Sequence, residues 1–308
     1  MVSVITPLYN NAATVLRAVN SVLAQTYGDL ELIVVDNGST DNGCELVSQV
    51  EDSRVVVALC NERGVSNARN HGIGLARGEW LAFLDADDEW MPTFLETAME
   101  MSRKYPHCQV LSFSYIKSGT DGKTKEITLN RIPDGEDFQM NNYFEVAAVS
   151  DPPIWTGGVV VRRDAMLTVN GFPTGVYQGE DLLTWARLST RYEIAYCTKP
   201  LSVFHVTEAQ NGGFPRRVPP DDDIVGRELL SLYHDNPAVA GLDLYIAHWH
   251  EMRASIYLRL PGYTRQCRRE IAISKQYNHK NKKLLYYDIL SRIPYKARMS
   301  VVRLVYKS

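Results

Sequence analysis

The sequence predicts an α/β fold: a mainly parallel sheet covered by helices on both faces, continued by a basic, mainly helical C-terminal extension. Three observations carry this expectation. Short apolar runs alternate with amphipathic stretches between Val2 and Leu84. Carboxylates, Asp36 and Asp85, stand where two of those runs end. Breaker residues crowd positions 211–220, and Lys and Arg gather beyond them.

Residues 2–6 read as a strand that Pro7 stops. Residues 11–25 have helical spacing, with Val15, Val19, Val22 and Leu23 on one side. Residues 31–35 form a second strand ending on Asp36, and the polar turn Asn37-Gly38-Ser39-Thr40-Asp41 leads into a helix through Val50. A third strand covers 54–59 and a helix 67–76. The run Trp80-Leu81-Ala82-Phe83-Leu84 is too short for a helix and reads as a buried strand. This alternation means βαβ units and a parallel sheet, in which ligands bind beyond the carboxyl ends of the strands. From Pro92 a helix begins, and the alternation then loosens. Strands at 107–117 and 123–129 flank a turn, 130–142 is a loop, and 154–162 is a strand. Gly179-Glu180-Asp181 opens a helix, and two strand-like runs follow at 193–197 and 201–206. The breaker-rich stretch divides the chain into domains 1–220 and 221–308, the second reading as helices from about Ile224.

A hydrophobic content of 45% and a charged content of 22% are ordinary for a globular protein. Cys44, Cys60, Cys108, Cys197 and Cys267 are odd in number and never spaced C-x-x-C, which argues against a disulfide framework or zinc knuckle and for a reducing compartment. The N-terminus lacks a basic start followed by a long apolar segment, so no signal peptide is expected. No run nears the ~20 apolar residues of a spanning helix. The expected location is cytoplasmic. The net charge of −3 conceals a split: from Arg253 onward fourteen Lys and Arg meet two acids, Glu270 and Asp288, which leaves the first 252 residues at −15. Basic residues interleaved with Leu, Ile, Tyr and Val between Tyr295 and Lys307 fit an amphipathic helix on an anionic membrane, placing the protein peripherally at the inner face of the cell membrane. A basic helical cap on an acidic body is the alternative. Nucleic acid is not an expected partner, because the body is acidic and carries no binding module.

Asp85, Asp87 and Asp88 crowd the end of the fourth strand. Without a cation they repel one another and resist ionisation. Mg²⁺ or Mn²⁺ reverses that cost, since hard divalent ions take carboxylate oxygens and complete their shells with phosphates. An acidic turn capping the next helix is the structural alternative. Four stretches occur in order: Val4-Ile5-Thr6-Pro7-Leu8-Tyr9-Asn10, Val34-Val35-Asp36-Asn37-Gly38-Ser39-Thr40-Asp41, Gly64-Val65-Ser66-Asn67-Ala68-Arg69-Asn70-His71-Gly72 and Phe83-Leu84-Asp85-Ala86-Asp87-Asp88-Glu89-Trp90. Together they resemble the family 2 glycosyltransferases, inverting enzymes with the GT-A fold, a Rossmann-like mixed sheet flanked by helices. Gly171-Phe172, Gly179-Glu180-Asp181 and Leu201-Ser202-Val203-Phe204-His205 extend the resemblance over residues 1–208.

The resemblance implies a nucleotide-sugar donor, with UDP the favoured nucleotide. It implies a glycan or lipid-linked oligosaccharide acceptor, in polysaccharide or surface-glycan synthesis. Asp87, with Asp85 or Asp88 and His205, would hold Mn²⁺ or Mg²⁺ against the leaving diphosphate. Thr6, Pro7 and Tyr9 would line the base pocket and Asp36 bond the uracil or ribose. Arg69, Asp85 and Ala86 would face the nucleotide. Asp181 matches the base that deprotonates the acceptor hydroxyl; Glu180 is its rival, because neighbouring helix residues point in different directions. Trp155, Gly157 and Gly158 would form an acceptor wall, where an aromatic face stacks on a sugar ring. The loop at 211–217, with Arg216 and Arg217, would close as a lid. Each residue has a plain structural reading beside the functional one. Asp36 fits a turn cap, Arg69 a solvated helix residue, His205 a structural strand end and Trp155 core packing. Glu180 and Asp181 also fit acids favoured by a helix N-terminus.

Three other functions compete. A dinucleotide oxidoreductase needs its glycine fingerprint after the first strand, where Pro7-Leu8-Tyr9-Asn10 stands. A sugar-nucleotide pyrophosphorylase needs a glycine-rich basic loop there. A catalytically silent scaffold of the same shape, binding a membrane or partner through the basic tail, is opposed by the joint presence of Asp36, Asp85, Asp87 and Asp181.

Overall fold

The computed structural model describes residues 1–206 and 217–305. The expected lid therefore lies outside the described residues, apart from Arg217. Two compact units form. One comprises Met1–Asn141 with Asp151–Val206, the other Asn142–Ser150 with the chain beyond Val206.

The first unit contains β1 (Val2–Leu8), α1 (Val15–Leu23), β2 (Leu30–Asp36), α2 (Gly43–Ser48), β3 (Val55–Leu59), α3 (Val65–Leu75), β4 (Trp80–Phe83), β5 (Glu89–Trp90), α4 (Phe94–Lys104), β6 (Val110–Ser118), β7 (Thr124–Glu126) and β8 (Asp137–Met140). After α5 (Tyr143–Ala147) it resumes with β9 (Val159–Arg162), α6 (Arg163–Thr168), α7 (Glu180–Ser189) and β10 (Ile194–His205). The strand order is β3-β2-β1-β4-β9-β6-β10-β5. β3, β2, β1 and β4 run parallel, whereas β9 is antiparallel to both β4 and β6. β1 and β2 are buried almost throughout, as a strand covered on both faces must be. Val15, Ala18, Val19 and Val22 of α1 supply part of that cover.

Several local expectations change. Pro7 does not end β1, which continues to Leu8 paired with Asp36 of β2. Pairing with β4 stops at Ile5, so beyond that point the proline faces only one ladder. The two strand-like runs at 193–206 are a single strand, β10. Its register shifts between Cys197 and Ser202, around Pro200, absorb a residue that cannot donate to a ladder. Residues 137–140 are not loop but pair with β10, and Phe138 lies 5.6 Å from the ring of Tyr196.

The second unit is helical: α5, then α8 (Ile224–Asp235), α9 (Leu242–Leu258), α10 (Thr264–Tyr277), α11 (Lys282–Ser291) and α12 (Tyr295–Val305). Asp223 caps α8 by accepting from the Gly226 N–H at 2.9 Å. Ala254, Tyr257, Leu258, Cys267, Ile271, Tyr287, Leu290, Met299 and Val302 form its core. Met299 and Val302 of α12 are buried in that core, while Val301 is 37% exposed. No described helix is long and apolar enough to cross a membrane.

Candidate active site

β1 has β2 on one side and β4 on the other, so the connections diverge there, the position beyond whose strand ends open α/β sheets bind ligands. Asp36 closes β2 opposite Leu8. It is buried, and its Oδ1 accepts the Ser39 N–H at 3.2 Å, the turn-capping contact that its residue type favours. Asn37 braces the neighbouring loop by donating to the Glu62 carbonyl and accepting from the Gly64 N–H, both at 2.7 Å. Tyr9 is 47% exposed, with the Arg63 guanidinium 5.7 Å from its ring centre. Pro7 is half-buried, while Thr6 and Ala86 are sealed inside.

Arg69 is the hub of the site, and it is not a solvated surface residue. Only 3% exposed, it donates from Nη2 to Asp85 Oδ1 at 2.7 Å and sets Nη1 3.5 Å from Glu180 Oε1. Its guanidinium also lies 5.0 Å from the Phe172 ring centre. Phe172 is held in turn by Asn70, which donates to its carbonyl at 2.7 Å and accepts its N–H at 2.8 Å. Gly171 makes this clasp feasible. Its φ is +65°, and a Cβ there would stand 2.4 Å from Asn70 Oδ1. Asn70 and Phe172 both lie in the family-like motifs, but their mutual clasp, 102 residues apart in sequence, has no local signal.

Glu180 and Asp181 open α7. Burial, then the neighbouring Asp181, pushes the Glu180 carboxyl up to about 7, against the pull of Arg69. Burial also raises Asp181, again opposed by Arg69, and its Oδ1 accepts the Leu182 N–H at 2.7 Å. The two acids titrate as a pair.

The acids after β4 show the electrostatic cost expected of carboxylates crowded without a cation. Asp87 is raised by burial and then by Asp85. Asp88, 1% exposed, is pushed up to about 9 by burial, Asp85 and Asp87. Asp88 braces the end of β10: its Oδ1 accepts the His205 N–H at 2.8 Å. The His205 side chain is engaged elsewhere, with Nε2 2.8 Å from Glu89 Oε1. Among the described residues, Asp85, Asp87 and His205 do not gather their ligand atoms within 4.8 Å, so the expected three-residue metal cage is not closed. Sequence reasoning missed Glu89 as the partner of His205. It also missed Arg17, which donates to the Asp87 carbonyl.

A divalent ion nevertheless fits Asp85 and Asp87. Mg²⁺ and Mn²⁺ need only one or two carboxylates when phosphates supply the rest, and burial with the neighbouring Asp85 still raises Asp87 against the pull of Arg17 and His205. Among the described residues, three that do bring their ligand atoms within 4.8 Å of one another lie in the second unit: Asp223, His250 and Glu270. There Arg253 already stands 3.3 Å from Asp223 and 3.4 Å from Glu270, and His250 Nδ1 lies 2.6 Å from Glu270. The guanidinium fills the cation's place, so that cluster reads as an ion-pair network.

Trp155 is partly buried between Tyr115 and Phe204, 4.8 and 5.5 Å between ring centres. Gly157 and Gly158 are buried, and the Gly157 carbonyl accepts from Trp90 Nε1 at 2.7 Å. A Cβ on Gly157 would fall 2.3 Å from the Trp155 ring. Gly157→Ala is therefore expected to cost about 1–3 kcal/mol of stability through overpacking. In a Trp155→Ala background the same change should be nearly neutral. Thermal melts of the four proteins test this, and equal losses in both backgrounds would refute it.

A family model described as "Glycosyl transferase family 2" matches residues 3–157. An uncharacterised glycosyltransferase of Nostoc sp. is 33% identical over 200 residues, 64% of this chain and 59% of that protein. The Escherichia coli protein WfaP, named as a UDP-Glc:α-D-GlcNAc-diphosphoundecaprenol β-1,3-glucosyltransferase, is 38% identical over 94 residues, 30% of this chain and 38% of its own. Among solved structures, Staphylococcus aureus TarS residues 1–349 in complex with UDP-GlcNAc superposes with a TM-score of 0.65 at 16% identity, covering 98% of this chain and 91% of that one. That likeness shows the fold.

Proposed function

The chain belongs to glycosyl transferase family 2, and from that premise we propose that it moves a sugar from a nucleotide-sugar donor to an acceptor hydroxyl with inversion. UDP is the nucleotide the relatives favour, both in the name of WfaP and in the TarS complex. The acceptor class is a glycan carried on a lipid diphosphate, by analogy with the acceptor in the WfaP name.

The single observation that carries this reading is the span of Arg69. One buried guanidinium ties Asp85, on the leaving-group side, to Glu180, beside the base. Asp85 and Asp87 would hold Mn²⁺ or Mg²⁺, and such an ion supplies electrostatic stabilisation to the departing diphosphate. Glu180 is occupied by Arg69, which leaves Asp181 to take the proton from the acceptor hydroxyl. The acceptor oxygen bonds to the anomeric carbon as the bond to the diphosphate breaks, and the electron pair leaves with the nucleotide. Asp36 and the exposed face of Tyr9 lie at the adjacent strand ends, suited to the ribose and base.

The test is a panel of UDP-, GDP- and dTDP-sugars with Mn²⁺, read as release of free nucleotide. Release from at least one donor, lost with EDTA, is expected. Asp87→Asn should reduce it at least about 100-fold, the scale of losing one strong electrostatic contact to developing charge. No release from any donor would sink the enzymatic reading, and full activity in Asp87→Asn would sink the metal role.

A further inference from the structure

We propose that the outward face of α11 is a docking surface for an anionic phospholipid bilayer. The inference deepens the lipid-linked acceptor reading and rests on it. α11 turns Leu284, Tyr287 and Leu290 inward. Leu285 and Ile289 are left 59% and 54% exposed. Four residues apart, they stand one above the other on the same side of the helix. Lys282 and Arg292, three residues before and after the pair, continue that stripe, so the face reads Lys-Leu-Ile-Arg along its length.

The charge around this pair selects the occupant. Lys283 is paired with Glu251 at 2.7 Å and Arg292 with Asp288 at 3.4 Å. Lys280, Lys282 and Lys296 are exposed and have no ion-pair partner among the described residues. Asp288 is the one acid after Glu270, and Lys275 also engages it, at 3.3 Å. The face is thus apolar at its centre, with the unbalanced charge of Lys282 on its stripe and of Lys280 just before the helix. A bilayer with anionic headgroups complements both features: Leu285 and Ile289 enter the acyl boundary while the lysine stems reach back to the headgroups. A second copy of the chain is a poorer occupant, since a two-fold contact would set these lysines against their own copies. Met299 and Val302 of the terminal helix α12 are buried in the core and cannot enter the same bilayer.

Vesicle flotation of the full chain tests the proposal. The protein should float with phosphatidylcholine vesicles containing phosphatidylglycerol, not with phosphatidylcholine alone, and high salt should release it. Leu285→Ser/Ile289→Ser should lower partitioning by about tenfold per side chain. Lys280→Glu/Lys282→Glu should lower it by at least about fivefold per residue. All four positions are exposed, so melting temperatures should not change. Wild-type protein that ignores anionic vesicles overturns the proposal, and so does a Leu285→Ser/Ile289→Ser variant that floats unchanged. A dimer seen by light scattering, dissolved by that double variant while wild type does not float, assigns the face to a second copy and overturns it as well. Nucleotide release from a soluble donor reads catalysis independently. Lost flotation with retained release in the double variant supports the proposal, whereas flotation without release in the wild type sinks the glycosyltransferase reading alone.

Discussion

Arg69→Met is expected to lower the melting temperature by on the order of 10 °C. Removing one member of a buried ionic cluster leaves the others uncompensated, at a typical cost of about 3–5 kcal/mol. The lower end applies here, because the Asp85 side chain keeps 31% of its exposure and can draw on water. The loss has a catalytic signature too. Arg69 pulls the Glu180 and Asp181 carboxyls down against their burial. Without it both rise further, and the acid limb of the pH–rate profile should move to higher pH. Arg69→Lys should recover only part of either effect, since a single ammonium cannot fork between two carboxylates as a guanidinium does. Calorimetric melts with pH–rate profiles check this. An unchanged melting temperature would mean that the Asp85–Arg69–Glu180 bridge contributes nothing.

The second large effect is expected at the acid pair. A general base must be ionised, so sugar transfer should rise with pH as Asp181, which burial raises above the ordinary aspartate range, loses its proton, and level off above that point. Asp181→Asn should cut kcat by about 10²–10⁴-fold, the usual range for losing a positioned base. Glu180→Gln should retain most of kcat and shift the limb toward acid, because it removes a negative neighbour from Asp181. The opposite pattern, with Glu180→Gln the dead variant, would exchange the two roles.

Sequence alone determined the alternation that builds the sheet, the placing of Asp36 and Asp85 at strand ends, and the family. Each of these is written in local periodicity or in contiguous motifs, and short-range chain geometry is enough to express it. It also located the acids at the head of α7, since a helix start is a local event. Tertiary structure alone decided what those residues meet. Arg69 and Glu180 are far apart in the chain, and nothing in either neighbourhood says that one guanidinium will lie between Asp85 and Glu180. His205 turned to Glu89 rather than to Asp85 and Asp87 for the same reason. On the basic tail, sequence revealed the charge but not which apolar residues remain outside. Met299 and Leu285 have the same local character, yet one is 6% exposed and the other 59%. Only the packing of helices against one another settles that, because burial belongs to the contact between elements and not to either element.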